Sequence, residues 1–499
     1  MRKQLLVNVT PPETRVALTE DGRTVEVFHE RSDRQGLVGN VYLGRIRRVL
    51  PGMQAAFVSV GLDRDAFLYV EDAFPRAGDW SSEEGEEETA GDTQRPAASR
   101  IEDLVREGEE IVVQVTKDPL SGKGPRVTVN ITLPGHTLVY LPGGREIAVS
   151  RRITEEAERQ RLLQILEGFP GPGGFIVRTA GQGRPAAELA ADRQSLVELS
   201  GQISRRAQSA TAPALLHREL DLPLRIVRDL VTSDFAAIRV DNEATRERIA
   251  EFLSLVGLVP ASRVELHERP EPIFELYGVE SEIEDALKSH VTLPSGGSVV
   301  IHQTEALVAI DVNTGKFVGK AALEDTVFST NLEAIREVAR QIRLRDLGGL
   351  LVVDFIDMQD PEHRREVFER FEAELAKDRV RTRLLPLSDF GLIEVTRQRS
   401  RGNLEKTLTG PCPCCGGTGR AKTDLTVALE MRRALWKTSS LCSPGQTVRV
   451  KARPSVLRVL REQEPSLLTD VEGRLKIRVE MEPDETLPPA RFEVLPDQL

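Results

Sequence analysis

At 499 residues the chain is longer than one hydrophobic core usually organises, so several domains are expected. Hydrophobic residues at 40% suffice for globular cores, and no apolar run reaches membrane-spanning length. A net charge of −11 argues only weakly against a nucleic-acid partner, because binding follows local fields and not the sum. The start, Met1 to Asn8, lacks the apolar core and cleavage site of a signal peptide. Four cysteines, three of them clustered, do not make a disulfide framework. A cytoplasmic protein is expected.

The first segment, to about residue 37, reads as strands with turns at Pro11-Pro12 and Asp21-Gly22. From Gly39 to Val129 come short alternating strands. Within them, Gly44 to Val58 and Asp65 to Leu68 resemble an S1-type OB fold, which pairs a basic groove with aromatic platforms. Aromatics are only 4% of the chain, and Phe57 and Phe67 are the best stacking candidates. Spacing alone slightly favours barrel core for both. Residues 76 to 100 are acidic and poor in hydrophobics, so a disordered insertion is expected. Further on, Thr154 starts a helix, and Gly173 to Gly181 reads as a strand ending in Arg178 and Thr179. A guanidinium fork beside a hydroxyl suits a terminal phosphate monoester, although such a pair more often marks an exposed strand end. A helix over 186–210 follows. Arginines concentrate at 336–345, 364–383 and 397–401, a pattern that usually marks a solvated face.

The central pattern lies between residues 306 and 357. Ala306 to Asn313 and Leu350 to Asp357 read as apolar strands ending in acids. Between them Leu332, Ile335, Val338, Ala339 and Ile342 fall on one helical face, stopped by Gly348-Gly349. A strand–helix–strand crossover of this kind places Asp311 and Asp354 side by side, in the crevice where open α/β sheets hold ligands. Acids on apolar strands are costly to bury unpaired, and a magnesium ion resolves that cost with one or two carboxylates, water and phosphate oxygens. Asn313 shares the face of Asp311. Asp357 is a weaker candidate for a supporting role. Asp360 before Pro361 reads as a helix cap, followed by an amphipathic helix to Lys377 and two more strands. Gly315-Lys316 is not a P-loop, since Ile310 stands where its first glycine belongs.

Cys412-Pro-Cys-Cys415 sits in a glycine-rich turn. It supplies two thiolates, while a closed zinc site needs four ligands. Either Cys414 and Cys442 complete the site, or a second chain does. Beyond it, a helix near 427–436 and strands at Val448–Lys451 and Leu475–Glu480 form a small domain expected to support self-association.

Three strings carry a family resemblance: Ile310 to Gly319, Thr330-Asn-Leu-Glu-Ala334, and Arg343-Leu-Arg-Asp-Leu-Gly-Gly-Leu-Leu-Val-Val-Asp-Phe-Ile-Asp-Met358. They resemble the signature of the ribonuclease E/G family. The opening Val7 to Val16 and the lack of a long arginine- and proline-rich tail look more like the G branch. The resemblance implies a multidomain α/β and β protein. An RNase H-like subdomain (1–37 and 224–286) is interrupted by an S1-type OB fold (38–129) and a 5′-sensor subdomain (130–223). A DNase I-like catalytic subdomain (287–408), a zinc link (409–420) and a small C-terminal domain (421–499) follow.

The resemblance also implies an activity: magnesium-dependent cleavage of single-stranded, AU-rich RNA, leaving 5′-phosphate and 3′-hydroxyl ends. Asp311 and Asp354 would hold Mg2+, and Asn313 would orient the attacking group. Arg178, Thr179 and Arg381 match the family's 5′-monophosphate sensor, and Phe57, Phe67 and Lys123 its RNA contacts. Cys412 and Cys415 match ligands of a zinc ion shared by two protomers, so a homodimer, or a tetramer, is implied. Ribosomal RNA precursors and messenger RNA are the implied substrates. Two rivals compete: a non-catalytic S1-type RNA-binding protein dimerised by zinc, for which Asp354→Asn leaves every phenotype intact, and a metal-dependent phosphoesterase that cuts an all-deoxy strand as well as RNA.

Overall fold

The computed structural model describes residues 2–31, 36–74, 100–119, 123–169, 171, 173–232, 234–256, 260–315, 323–386, 388, 391–399, 403–439 and 445–496. Most of the acidic stretch, Lys316, Arg401 and Cys442 lie outside them. The chain divides into two compact units, Met1–Thr407 and Leu408–Leu499.

Four sheets build the first unit. In the first, Lys3–Thr10, Glu13–Glu20 and Arg23–Arg31 form an antiparallel meander. Lys3–Thr10 also pairs in parallel with Phe235–Val240, so two segments far apart in sequence share one sheet. The second is a barrel. Val41–Leu50, Ala55–Ser59, Ala66–Tyr69, Arg126–Thr128 and Glu110–Lys117 pair in that order, and the last closes back on the first. Ala56, Val58, Ala66, Leu68, Val113 and Val127 fill its interior. A small third sheet, with the Ala186–Ser209 helix beside it, contains Gly174–Val177 and Leu138–Leu141.

The fourth sheet has six strands, ordered His290–Thr292, Ser298–Gln303, Leu307–Asn313, Gly349–Asp354, Leu392–Arg397 and Thr382–Leu384. The Leu307–Asn313 and Gly349–Asp354 strands are parallel neighbours joined through the Leu323–Leu344 helix. Ile335, Val338, Ala339 and Ile342 of that helix are buried against Val308, Ile310, Val312, Leu351 and Val353, with Leu332 packed at the edge. The Pro361–Leu375 helix adds Val367, Phe371 and Leu375, and its first turn is capped by Asp360, which accepts from the Glu362 N–H at 2.8 Å.

Burial alternates strictly along Leu307–Asn313. The helices therefore cover one face of the sheet, and Ala309, Asp311, Asn313, Leu350, Asp354, Glu394 and Thr396 are exposed on the other. This corrects the premise that the acids on these apolar strands are buried. They stand on a solvent face, where partial desolvation of Asp354 and repulsion from its acidic neighbours are what must be balanced.

The arginine cluster of the Leu323–Leu344 helix is structural in large part. Arg340 donates to Thr24 O at 2.9 Å and pairs with Glu282 and Glu337. Arg343, nearly buried, pairs with both Glu20 and Glu26 at 3.1 Å. Arg397 is locked between Asp378 and Asp346, each at 2.7 Å. Buried guanidinium groups held by carboxylates in this way are committed to the fold.

In the second unit, Thr447–Ala452 is the central strand, parallel to Arg478–Pro483 and antiparallel to Glu493–Pro496. Val427, Met431 and Leu435 of the Asp424–Ser439 helix pack on it. The strand expected from Leu475 begins later, because a helix runs over Ser466–Leu475 and Lys476, at φ +52°, turns the chain before Arg478.

Replacing Arg343 with alanine leaves Glu20 and Glu26 without their shared cation. The expected loss is about 3–5 kcal/mol, read as a lower urea midpoint for the Met1–Thr407 unit. An unchanged midpoint contradicts this account of the cluster.

Candidate active site and nucleic-acid surface

The parallel register fixes the centre of the site, with Asp311 directly opposite Asp354. Asn313, two residues on, shares the face of Asp311 and donates from Nδ2 to its Oδ2 at 2.8 Å. Partial desolvation, then the charges of Asp311 and Asp357, push the Asp354 pKa up. The pair thus concentrates negative charge with no cation bridging it among the described residues. Two neighbouring carboxylates on a rigid strand pair, open to solvent, suit a hard divalent ion that retains water. No group of three His, Cys, Asp or Glu suited to a metal is present among the described residues.

The turn after Asn313 is held by close approach. Gly315, at φ +62°, lies where a Cβ would sit 2.5 Å from Gly296 O. On the other strand, the loop after Asp354 is clamped by a residue the sequence reading left without a role. Asn331, wholly buried on the crossover helix, donates to Ile356 O at 2.8 Å and accepts from Ile356 N–H at 3.1 Å. Glu324, in the first turn of that helix, accepts from the N–H groups of Gln359 and Asp360, both at 3.1 Å, and from His363. The sequence did carry a signal for Asn331: a polar amide inside an apolar helical stripe must find partners.

The three residues matched to phosphate sensing occupy linked segments. Arg178 donates to Gly135 O at 2.6 Å and to Asp229 at 2.8 Å, which fixes the plane of its guanidinium fork. Burial alone would raise the Asp229 pKa, but Arg178 and Arg228 hold it down at about 2. Thr179 meets Ser150 Oγ at 3.2 Å. Two residues further, Arg152 donates to the carbonyls of Asp378 and Arg379, beside exposed Arg381. Arg152 therefore ties the Ser150 segment, which Thr179 contacts, to the loop carrying Arg381.

On the barrel, Phe57 and Phe67 are half-buried and outside the core cluster, while their neighbours in sequence point inward. The spacing-based preference for barrel core is thereby corrected: strand alternation places both rings on the outer face. They are cross-strand partners, with ring centroids 5.4 Å apart. Lys123 is exposed, and its loop is held beside Phe67 by the Phe67 N–H donating to Pro125 O at 2.8 Å.

In the second unit, Cys412 and Cys414 are exposed and Cys415 is half-buried. The backbone N–H of Cys415, then that of Cys414, lower the Cys412 pKa, and Gly419 N–H donates to Cys415 Sγ at 3.3 Å. A turn whose amides point at sulfur suits thiolate ligands. The turn precedes the Asp424–Ser439 helix by several residues and does not form its first turn.

Comparison with known proteins adds the class to which these features belong. The model described as "Ribonuclease E/G family" matches residues 132–400, and that described as "RNase E/G, Thioredoxin-like domain" matches residues 411–497. The chain belongs to the ribonuclease E/G family. It is 43% identical to Ribonuclease G of Escherichia coli (strain K12), over 97% of this chain and 98% of that protein. Identity to Ribonuclease G of Haemophilus influenzae is 41%, over 99% of each chain. Ribonuclease E of Escherichia coli (strain K12) is 34% identical over 99% of this chain, which spans 46% of that longer protein.

Replacing Asn331 with alanine frees Ile356 and lets the loop after Asp354 shift. A misplacement of this size is expected to lower the turnover of RNA by about 10- to 100-fold, with substrate affinity unchanged. Parallel loss of affinity and turnover would contradict a positioning role.

Proposed function

We propose that this endoribonuclease cuts single-stranded, AU-rich RNA to 5′-phosphate and 3′-hydroxyl ends, with magnesium held by Asp311 and Asp354. The observation that carries the proposal is the register that sets Asp311 opposite Asp354, with Asn313 bonded to the first. When bound, magnesium supplies an activated water and offsets the charge that builds on the phosphate. The chain's own residues do the rest. The two carboxylates fix the ion against one rigid strand pair, and the Asn313 amide orients the attacking group. Asn331 and Glu324 keep the loop after Asp354 in place.

The Lys3–Thr10 and Phe235–Val240 sheet supports the RNase H-like assignment, and the closed barrel the S1-type one. Phe57, Phe67 and Lys123 form the single-strand surface, where rings stack bases without strict sequence preference. Arg178, Thr179 and Arg381 take a 5′-monophosphate, which offers several oxygens to a planar fork. Its binding raises cleavage by positioning the strand. Cys412 and Cys415 provide half of a zinc site, and a second protomer provides the other half, which gives a homodimer. The substrates are ribosomal RNA precursors and decaying messages in the cytoplasm. Among the described residues, no helix is long and apolar enough to cross a membrane. Membership of the ribonuclease family sets aside the non-catalytic rival.

The test is cleavage of an AU-rich single strand bearing either a 5′-monophosphate or a 5′-hydroxyl, with magnesium, by wild type, Asp354→Asn and Arg178→Ala. Asp354→Asn is expected to abolish cutting of both strands. Arg178→Ala is expected to erase the preference for the monophosphate alone. Cutting that survives Asp354→Asn, or of an all-deoxy strand as fast as RNA, would overturn the reading.

A further inference from the structure

The outer face of the barrel carries more than the two phenylalanines. Register aligns one row across the sheet: Arg48 opposite Phe57, Phe57 opposite Phe67, Phe67 opposite Arg126, and Arg126 opposite Lys117. Residues directly opposite one another share a face. The row therefore reads cation, ring, ring, cation, cation, and the two at its ends, Arg48 and Lys117, are exposed.

Tyr69 extends this row. It lies two residues after Phe67, hence on the same face, and is 40% exposed. Its ring centroid is 4.5 Å from that of Phe67, at an interplanar angle of 63°. The Arg126 guanidinium lies 4.7 Å from the centre of the Tyr69 ring. It is held there by Asp72, which accepts from Arg126 Nε at 2.7 Å. An exposed ring with an anchored planar cation against it is not what a barrel exterior needs for stability. Tyr69 takes no part in the core cluster beneath it.

We propose that Tyr69, with Arg126 against its ring, is a third stacking step that receives one more base of a single-stranded RNA beyond Phe67. The inference rests on the reading that the barrel binds RNA through Phe57 and Phe67. Base–aromatic stacking tolerates any base, because each has a π face, and a planar guanidinium adds to such a surface. Asp72 neutralises Arg126, so this step contributes surface and not net charge. Salt dependence separates it from Lys123, whose charge has no such partner among the described residues.

The experiment uses the full chain in an Asp354→Asn background and measures affinity for labelled oligouridylates of increasing length at several salt concentrations. Tyr69→Leu keeps apolar bulk without a π face, and Tyr69→Phe keeps the ring. Tyr69→Leu is expected to weaken binding of the longer strands by about 5- to 100-fold, with the salt slope unchanged. Lys123→Ala is expected to reduce that slope by about 0.7. A 2-aminopurine stepped along the strand is expected to be quenched at one fewer position in Tyr69→Leu, and Tyr69→Phe is expected to bind as wild type. If Phe57→Ala weakens binding but Tyr69→Leu does not, or if Tyr69→Phe is as weak as Tyr69→Leu, the third step is wrong. If neither Phe57→Ala nor Tyr69→Leu has an effect, the barrel is not the RNA surface and the underlying reading fails too.

Discussion

Everything in the site depends on one parallel strand register. It sets two carboxylates side by side on the uncovered face of a sheet, where water screens them but does not remove their repulsion. The apolar face of the same strands is packed against two helices, so the strands cannot slide to separate the charges. A one-residue slip would turn Asp311 into the core and Val312 to solvent. Core packing on one face thus holds an unfavourable charge pair on the other. A divalent cation is the simplest partner that turns this arrangement into a favourable one.

The same logic of fixed support recurs at each candidate site. The loop after Asp354 is bonded through Asn331 and Glu324 to the crossover helix that also aligns the strands. The Arg178 fork is held flat by Asp229 and Gly135. Arg126 is held by Asp72 against Tyr69. In each case the group proposed to bind is pinned by a neighbour, which would reduce the entropy lost when a ligand arrives.

Much of this was legible in the sequence. The helical stripe from Leu332 to Ile342 and the acids ending the two flanking strands predicted a crossover unit, and the register shows why it matters. The alternation of Val308, Ile310 and Val312 with Ala309, Asp311 and Asn313 was equally visible. It marks a sheet covered on one side, which leaves the two acids exposed and not buried. Long-range pairings were not legible. Arg343 could not be assigned to Glu20 and Glu26, because charge runs look alike whether solvated or buried, and only the folded chain brings residues so distant together. For Phe57 and Phe67 spacing alone leaves barrel core slightly ahead of an outer face, because strand alternation gives two faces but does not say which is the core until the barrel closes.

The central claim is that Asp311 and Asp354 jointly hold one divalent ion. The most direct measurement is Mn2+ binding to the folded chain, followed by electron paramagnetic resonance in wild type, Asp311→Asn and Asp354→Asn. The account predicts one bound ion per chain in wild type and its loss in either variant, with the fold unchanged by circular dichroism. Equal Mn2+ binding in all three proteins would contradict it.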